Sequence, residues 1–285
     1  MDEYQVPRYA ACSRSRQRIL KFLFVLITLA SSATAEPPSR SPIRELPPQS
    51  RPIDDVLVPV PREIFQSLDQ FADSNWARIQ RRGLAKWKPR GDQARLALLL
   101  GALIAEGFIA VEAKDEDQVK KVGSAVLKVA AGLGVKKSVL RHSRAIIDDA
   151  ERGNWDAVRQ EWDGVFADVE SAMRELDSEQ LAQLVSLGGW LRGTEALTGL
   201  ILQNYSPGRA ELLRQPALLD YFEKRIAEMD RARRSNALVA KMEEGIRRIR
   251  PLVRSDSGTP LSPKTLREIG AITKGLVEEI NIKGR

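Results

Sequence analysis

After Pro61, apolar side chains recur every three to four residues along almost the whole chain, the period of a helix with one buried face. No run of strand length alternates β-branched and polar residues. The expected fold is therefore all-α, a bundle of about eight helices. Ile64, Leu68, Phe71, Trp76 and Ile79 suggest a first helix, broken before Pro89. A second runs from about Asp92 to Ala113 and is apolar on nearly every face. A third, Glu116 to Ala131, should stop at Gly132-Leu133-Gly134, where glycine can adopt the left-handed conformation. The fourth should end at Gly153. Asn154 would cap a fifth carrying Trp155, Val158, Trp162, Phe166, Val169 and Met173 on one face. Asp177 with Gln180 three residues on resembles a capping box for a sixth helix reaching Tyr205. Ser206-Pro207 and Ser262-Pro263 place proline just after a cap and mark two further starts, with helices around Leu218–Met229 and Leu238–Val253 between them.

A different pattern governs the first 61 residues. Arg14, Arg16, Arg18 and Lys21 precede an apolar stretch, Phe22 to Ala30, followed by Ala33-Thr34-Ala35. That is the arrangement of a cleavable export signal, and the apolar stretch is too short for the roughly 20 residues of a permanent span. Residues 1–35 are expected to be the signal peptide, removed by the general secretion route to leave a periplasmic or extracellular protein starting at Glu36. Residues 36–61 hold eight of the fifteen prolines and read as a disordered or polyproline-like linker. Val56, Leu57, Val58 and Val60 form an apolar island in it that would dock on the first helix. Residues 62–285 are then one helical domain.

Composition narrows the chemistry. Cys12, the sole cysteine, lies in the expected signal, so the mature chain can hold neither a disulfide nor a cysteine ligand or nucleophile. Cleavage removes five basic and two acidic side chains, turning 45 Lys+Arg against 38 Asp+Glu into 40 against 36. That mild imbalance gives no ground for a nucleic-acid partner. His142 sits between Arg141 and Arg144 as an ordinary surface residue, disfavoured as a cation if those charges lie close. One histidine cannot build a two-histidine metal site, and Gly-rich phosphate loops are absent. Asp115-Glu116-Asp117 lacks the glycine and later glutamate of a calcium loop and suits a helix start. No catalytic residue, metal or cofactor is expected.

Two helices look too apolar for a surface. From Ala97 to Val111 the only ionisable residue is Glu106, and from Leu181 to Leu202 the only ones are Arg192 and Glu195. A lone buried charge is costly, so Glu106 and Arg192 should meet, with Gly101, Ala105, Gly188, Gly189 and Gly193 letting the backbones approach. The same three residues could instead line a pocket for a small anionic or zwitterionic ligand. Membrane insertion of these helices is disfavoured, since each mid-helix charge costs ~2.5 to 3.5 kcal/mol at the bilayer centre. A second candidate is the basic region Glu223–Arg254, where Arg231, Arg233, Arg234, Arg247, Arg248 and Arg250 form two groups. It suits either a solvated helix face or an anionic surface. Ala150 to Val158 resembles a single tetratricopeptide turn, but it does not recur. These features describe an exported helical binding or scaffolding protein with an envelope protein or anionic surface as partner. A helical pocket protein and a carboxylate-based hydrolase are the alternatives.

Overall fold

The computed structural model describes residues 51–53, 56–58, 69–84, 91–254 and 259–281. The expected signal peptide and most of the linker lie outside them. The described part is an all-α bundle of eight long helices: α1 (Gln93–Glu112), α2 (Glu116–Gly132), α3 (Lys136–Glu151), α4 (Trp155–Glu175), α5 (Glu179–Gln203), α6 (Pro216–Ala227), α7 (Ala237–Val253) and α8 (Pro263–Asn281). Single helical turns, Pro207–Ala210 and Arg231–Arg234, stand between the longer helices.

Local chemistry sets the boundaries. Asp92 starts α1 by accepting the Arg95 N–H at 2.8 Å, and Asp115 starts α2 by accepting that of Gln118 at 3.0 Å. Glu116 and Asp117 follow in the first turn of α2, where the helix dipole favours negative charge. The α2 and α3 helices are followed by Gly134 at φ +81° and Gly153 at φ +71°, left-handed positions that suit glycine. Asn236 accepts the N–H groups of Leu238 and Val239 and so caps α7.

Three expectations about the elements are corrected. Over residues 69–79 there is no continuous first helix, only the 3-10 turns Asp69–Phe71 and Trp76–Arg78. The five-residue step from Phe71 to Trp76 breaks helical period, and Asn75 Oδ1 takes the Arg78 N–H locally. Both aromatics are still buried, with Trp76 Nε1 donating to the Phe71 carbonyl at 3.0 Å. The capping box is also absent: Asp177 ends the preceding turn at φ +50°, and Gln180 accepts from the Asp230 N–H and the Arg233 side chain. Finally, the apolar island Val56–Val58 does not lie on a first helix but beside α6. β1 (Arg51–Ile53) and β2 (Val56–Val58) form a short antiparallel ladder with Pro52 opposite Leu57. An edge position tolerates the missing proline N–H.

The helices α1 and α5 are the centre, packed along their lengths. Helices α2, α3 and α4 follow as successive neighbours, with α4 returning to α1, while α8 lines α5 and carries α7 and then α6. α1 is the one described helix long and apolar enough to cross a membrane, and 89% of that window is buried inside the fold. It is the core helix. Trp162 of α4 fixes the α1–α4 contact, since its Nε1 donates to the Ile104 carbonyl at 2.9 Å and its ring lies over Gly107.

Candidate functional site

The interior polar centre lies where α1 and α5 meet the irregular segment 79–81. Glu106, near the middle of α1, and Arg192, on α5, are both fully buried. Arg192 Nε donates to Glu106 Oε2 at 2.8 Å, Nη2 lies 2.7 Å from the same oxygen as an ion pair, and Nη2 donates to the Ile79 carbonyl at 2.7 Å. Glu106 Oε1 accepts the Arg81 N–H at 2.6 Å. Each carboxylate oxygen is thus matched to a donor. Glu195, one turn beyond Arg192, stands 3.5 Å from Arg192 Nη1 and takes Arg81 Nε at 2.7 Å. Arg81 also approaches Glu278 of α8 at 3.6 Å.

Burial pushes the Glu106 carboxyl above its ordinary value, while the Arg192 charge and the Arg81 N–H pull it back. An upward shift is what a general acid needs, yet both oxygens are already held by donors. Arg81 is the member of this centre that the sequence did not reveal. It lies in an irregular segment without a period, beside the more exposed Arg82, which pairs with Asp115. A second pair, Arg159–Glu112 at 2.5 Å, joins α4 to the end of α1.

The six arginines of the second candidate do not form one free cationic surface. Arg233 binds Asp230, Arg247 binds Glu244 at 2.9 Å, and Arg250 binds both Asp220 and Glu223. Arg234 donates to the Ala227 carbonyl. Arg231 and Arg248 have no acidic partner among the described residues, and they sit on different elements. The N–H and side chain of Arg233 hold the Asp230 carboxyl below its ordinary value.

His142 differs from its sequence context. Its side chain is 15% exposed, with Nδ1 2.8 Å from Glu161 Oε2 and Nε2 2.9 Å from Asp168 Oδ2, so it clasps α3 to α4 over Gly164. The sequence neighbours do not show the two carboxylates of α4 that flank the ring, 19 and 26 residues further along the chain. Arg141 itself reaches Asp168 at 3.4 Å. Among the described residues, no group of three or more His, Cys, Asp or Glu side chains could hold a metal ion.

No protein-family model, curated protein or solved structure matches this chain.

Proposed function

We propose that the chain is an exported helical binding module, working in the cell envelope or outside it through its surface. One observation carries the choice of surface over interior: segment 79–81 lays its own backbone on the polar centre. The Ile79 carbonyl takes the Arg192 guanidinium, and the Arg81 N–H takes the Glu106 carboxylate, the groups a zwitterionic ligand would otherwise use. The interior charges thus serve packing, and recognition is left to the outside. Export itself rests on the basic, apolar and Ala-x-Ala order of residues 14–35.

Fusing residues 1–40 ahead of a reporter enzyme that is active only after export tests the first half. In a bacterial host, active reporter with a new N-terminus at Glu36 is the expected result, and inactive, uncleaved fusion overturns it. Native mass spectrometry of the protein purified from its own envelope tests the second half. A stoichiometric protein or lipid partner is expected. The pocket reading has one point in its favour, because Arg192 Nη1 and Glu195 Oε2 are buried without a hydrogen-bond partner. A bound small anion lost on Arg192→Met would replace the surface reading with that one.

A further inference from the structure

Between Gln118 and Ile147 the chain carries seven Lys or Arg residues and no Asp or Glu. These residues make up most of the α2–α3 hairpin. The spacing of Lys121, Ser124 and Lys128 puts them on one exposed stripe of α2, and Lys136, Leu140, Ser143 and Ile147 share a stripe of α3. Leu140 is 53% exposed and Ile147 38%, which for large apolar side chains is unusual in this fold. Between the helices, Leu127, Ile146 and Ile147 help line a shallow recess of about 160 Å³ floored by Trp162. Leu176, 53% exposed beside Gly134, closes the strip at the α2–α3 turn, with Glu175 and Asp177 marking its edge.

Some of the seven charges are already used. Lys120 is held by Glu116 and Glu151, Arg141 approaches Asp168, and Arg144 approaches Asp148 at 3.8 Å. Lys121 is only 3.9 Å from Asp117, and Lys128, Lys136 and Lys137 have no acidic partner among the described residues. The cations with no acid within 4 Å are thus three lysines, point charges on flexible stems, while Arg144, 93% exposed, is held as loosely as Lys121. Recognition of particular carboxylates would favour the arginine fork, whereas lysines interspersed with protruding leucine and isoleucine suit a fluid anionic surface.

We propose that the α2–α3 hairpin is a docking face for an anionic phospholipid bilayer, with Lys128, Lys136 and Lys137 among the headgroups and Leu140 and Ile147 entering the acyl boundary. This deepens the binding-module reading and relies on export only to bring the face to an envelope membrane. Leu46–Arg285 forms a compact unit of its own, so the test uses the chain from Glu36. Its sedimentation with phosphatidylcholine vesicles is compared with that on vesicles of roughly one third phosphatidylglycerol. Binding should need the anionic lipid and fall as salt rises. Lys128→Gln with Lys136→Gln and Lys137→Gln should lower partitioning on the order of 100-fold, at roughly fivefold per lysine. Leu140→Ser with Ile147→Ser should weaken binding at both salt levels, and Arg231→Glu with Arg248→Glu should leave it unchanged. No binding to anionic vesicles overturns the proposal, as does equal binding by the lysine variant. Preference for a poly-glutamate peptide over vesicles also overturns it, in favour of an acidic protein. The export reporter reads the parent proposal separately, since vesicle binding does not depend on it.

Discussion

Replacing Arg192 by Met should cost about 3 to 5 kcal/mol at neutral pH, the usual penalty for leaving one charge of a buried pair uncompensated. Glu106 loses the Nε donor at 2.8 Å and the Nη2 charge at 2.7 Å, and keeps the Arg81 N–H as its hydrogen-bond donor. The pH dependence follows from direction. Burial already raises the Glu106 carboxyl above its ordinary value, and removing the guanidinium raises it further. A carboxyl raised in the folded state gives stability that is complete below the unfolded value and is lost as pH rises through the folded one. The variant should therefore lie nearest the wild type in acid and fall away as the pH climbs out of the ordinary carboxylate range. Urea unfolding of both proteins across that range measures the gap. A gap that is small at neutral pH, or that widens in acid, would sink this account of the pair. Glu106→Gln should also be damaging, because glutamine offers one acceptor where Arg81 and Arg192 each present a donor. Combining Glu106→Leu with Arg192→Met should recover more than half of the single-variant loss, as replacing both partners removes the orphaned charge.

That centre shows how far the pattern of side chains could be read without coordinates. Period and stop signals placed the long helices from α1 onward, since Gly134 and Gly153 act through their own backbone. The two apolar helices had to be central, and a single charge in the middle of α1 had to find a partner. What periodicity could not supply was the irregular segment 79–81, whose Ile79 carbonyl and Arg81 complete the site through contacts 25 to 114 residues distant in sequence. Charge was hardest to read. The dense arginines from Arg231 to Arg250 drew attention, yet Asp220, Glu223, Asp230 and Glu244 neutralise several of them. The quieter stretch from Gln118 to Ile147 leaves Lys128, Lys136 and Lys137 without an acidic partner among the described residues, because no acid is interleaved there.

The glycines between α1 and α5 should separate sharply on substitution, although the sequence offered them as equals. A Cβ on Gly101 would stand 1.8 Å from the Val185 carbonyl oxygen, and one on Gly188 would stand 2.0 Å from that of Leu98. Backbone cannot yield as a side-chain tip can, so the two helices must part along the most closely packed contact of the bundle. Gly101→Ala and Gly188→Ala should each lose about 3 kcal/mol or more, at or beyond the upper end for overpacking. Gly189 is different, its added methyl reaching only ordinary contact at 3.5 Å from the Gly101 oxygen, and at Gly193 nothing lies within 4 Å. There the backbone entropy of glycine dominates, and Gly193→Ala should gain up to about 1 kcal/mol through helix propensity. Thermal unfolding of the four variants ranks them. If Gly101→Ala and Gly193→Ala shifted the midpoint alike, the close α1–α5 approach, and with it the seating of Arg192 on Glu106, would be wrong.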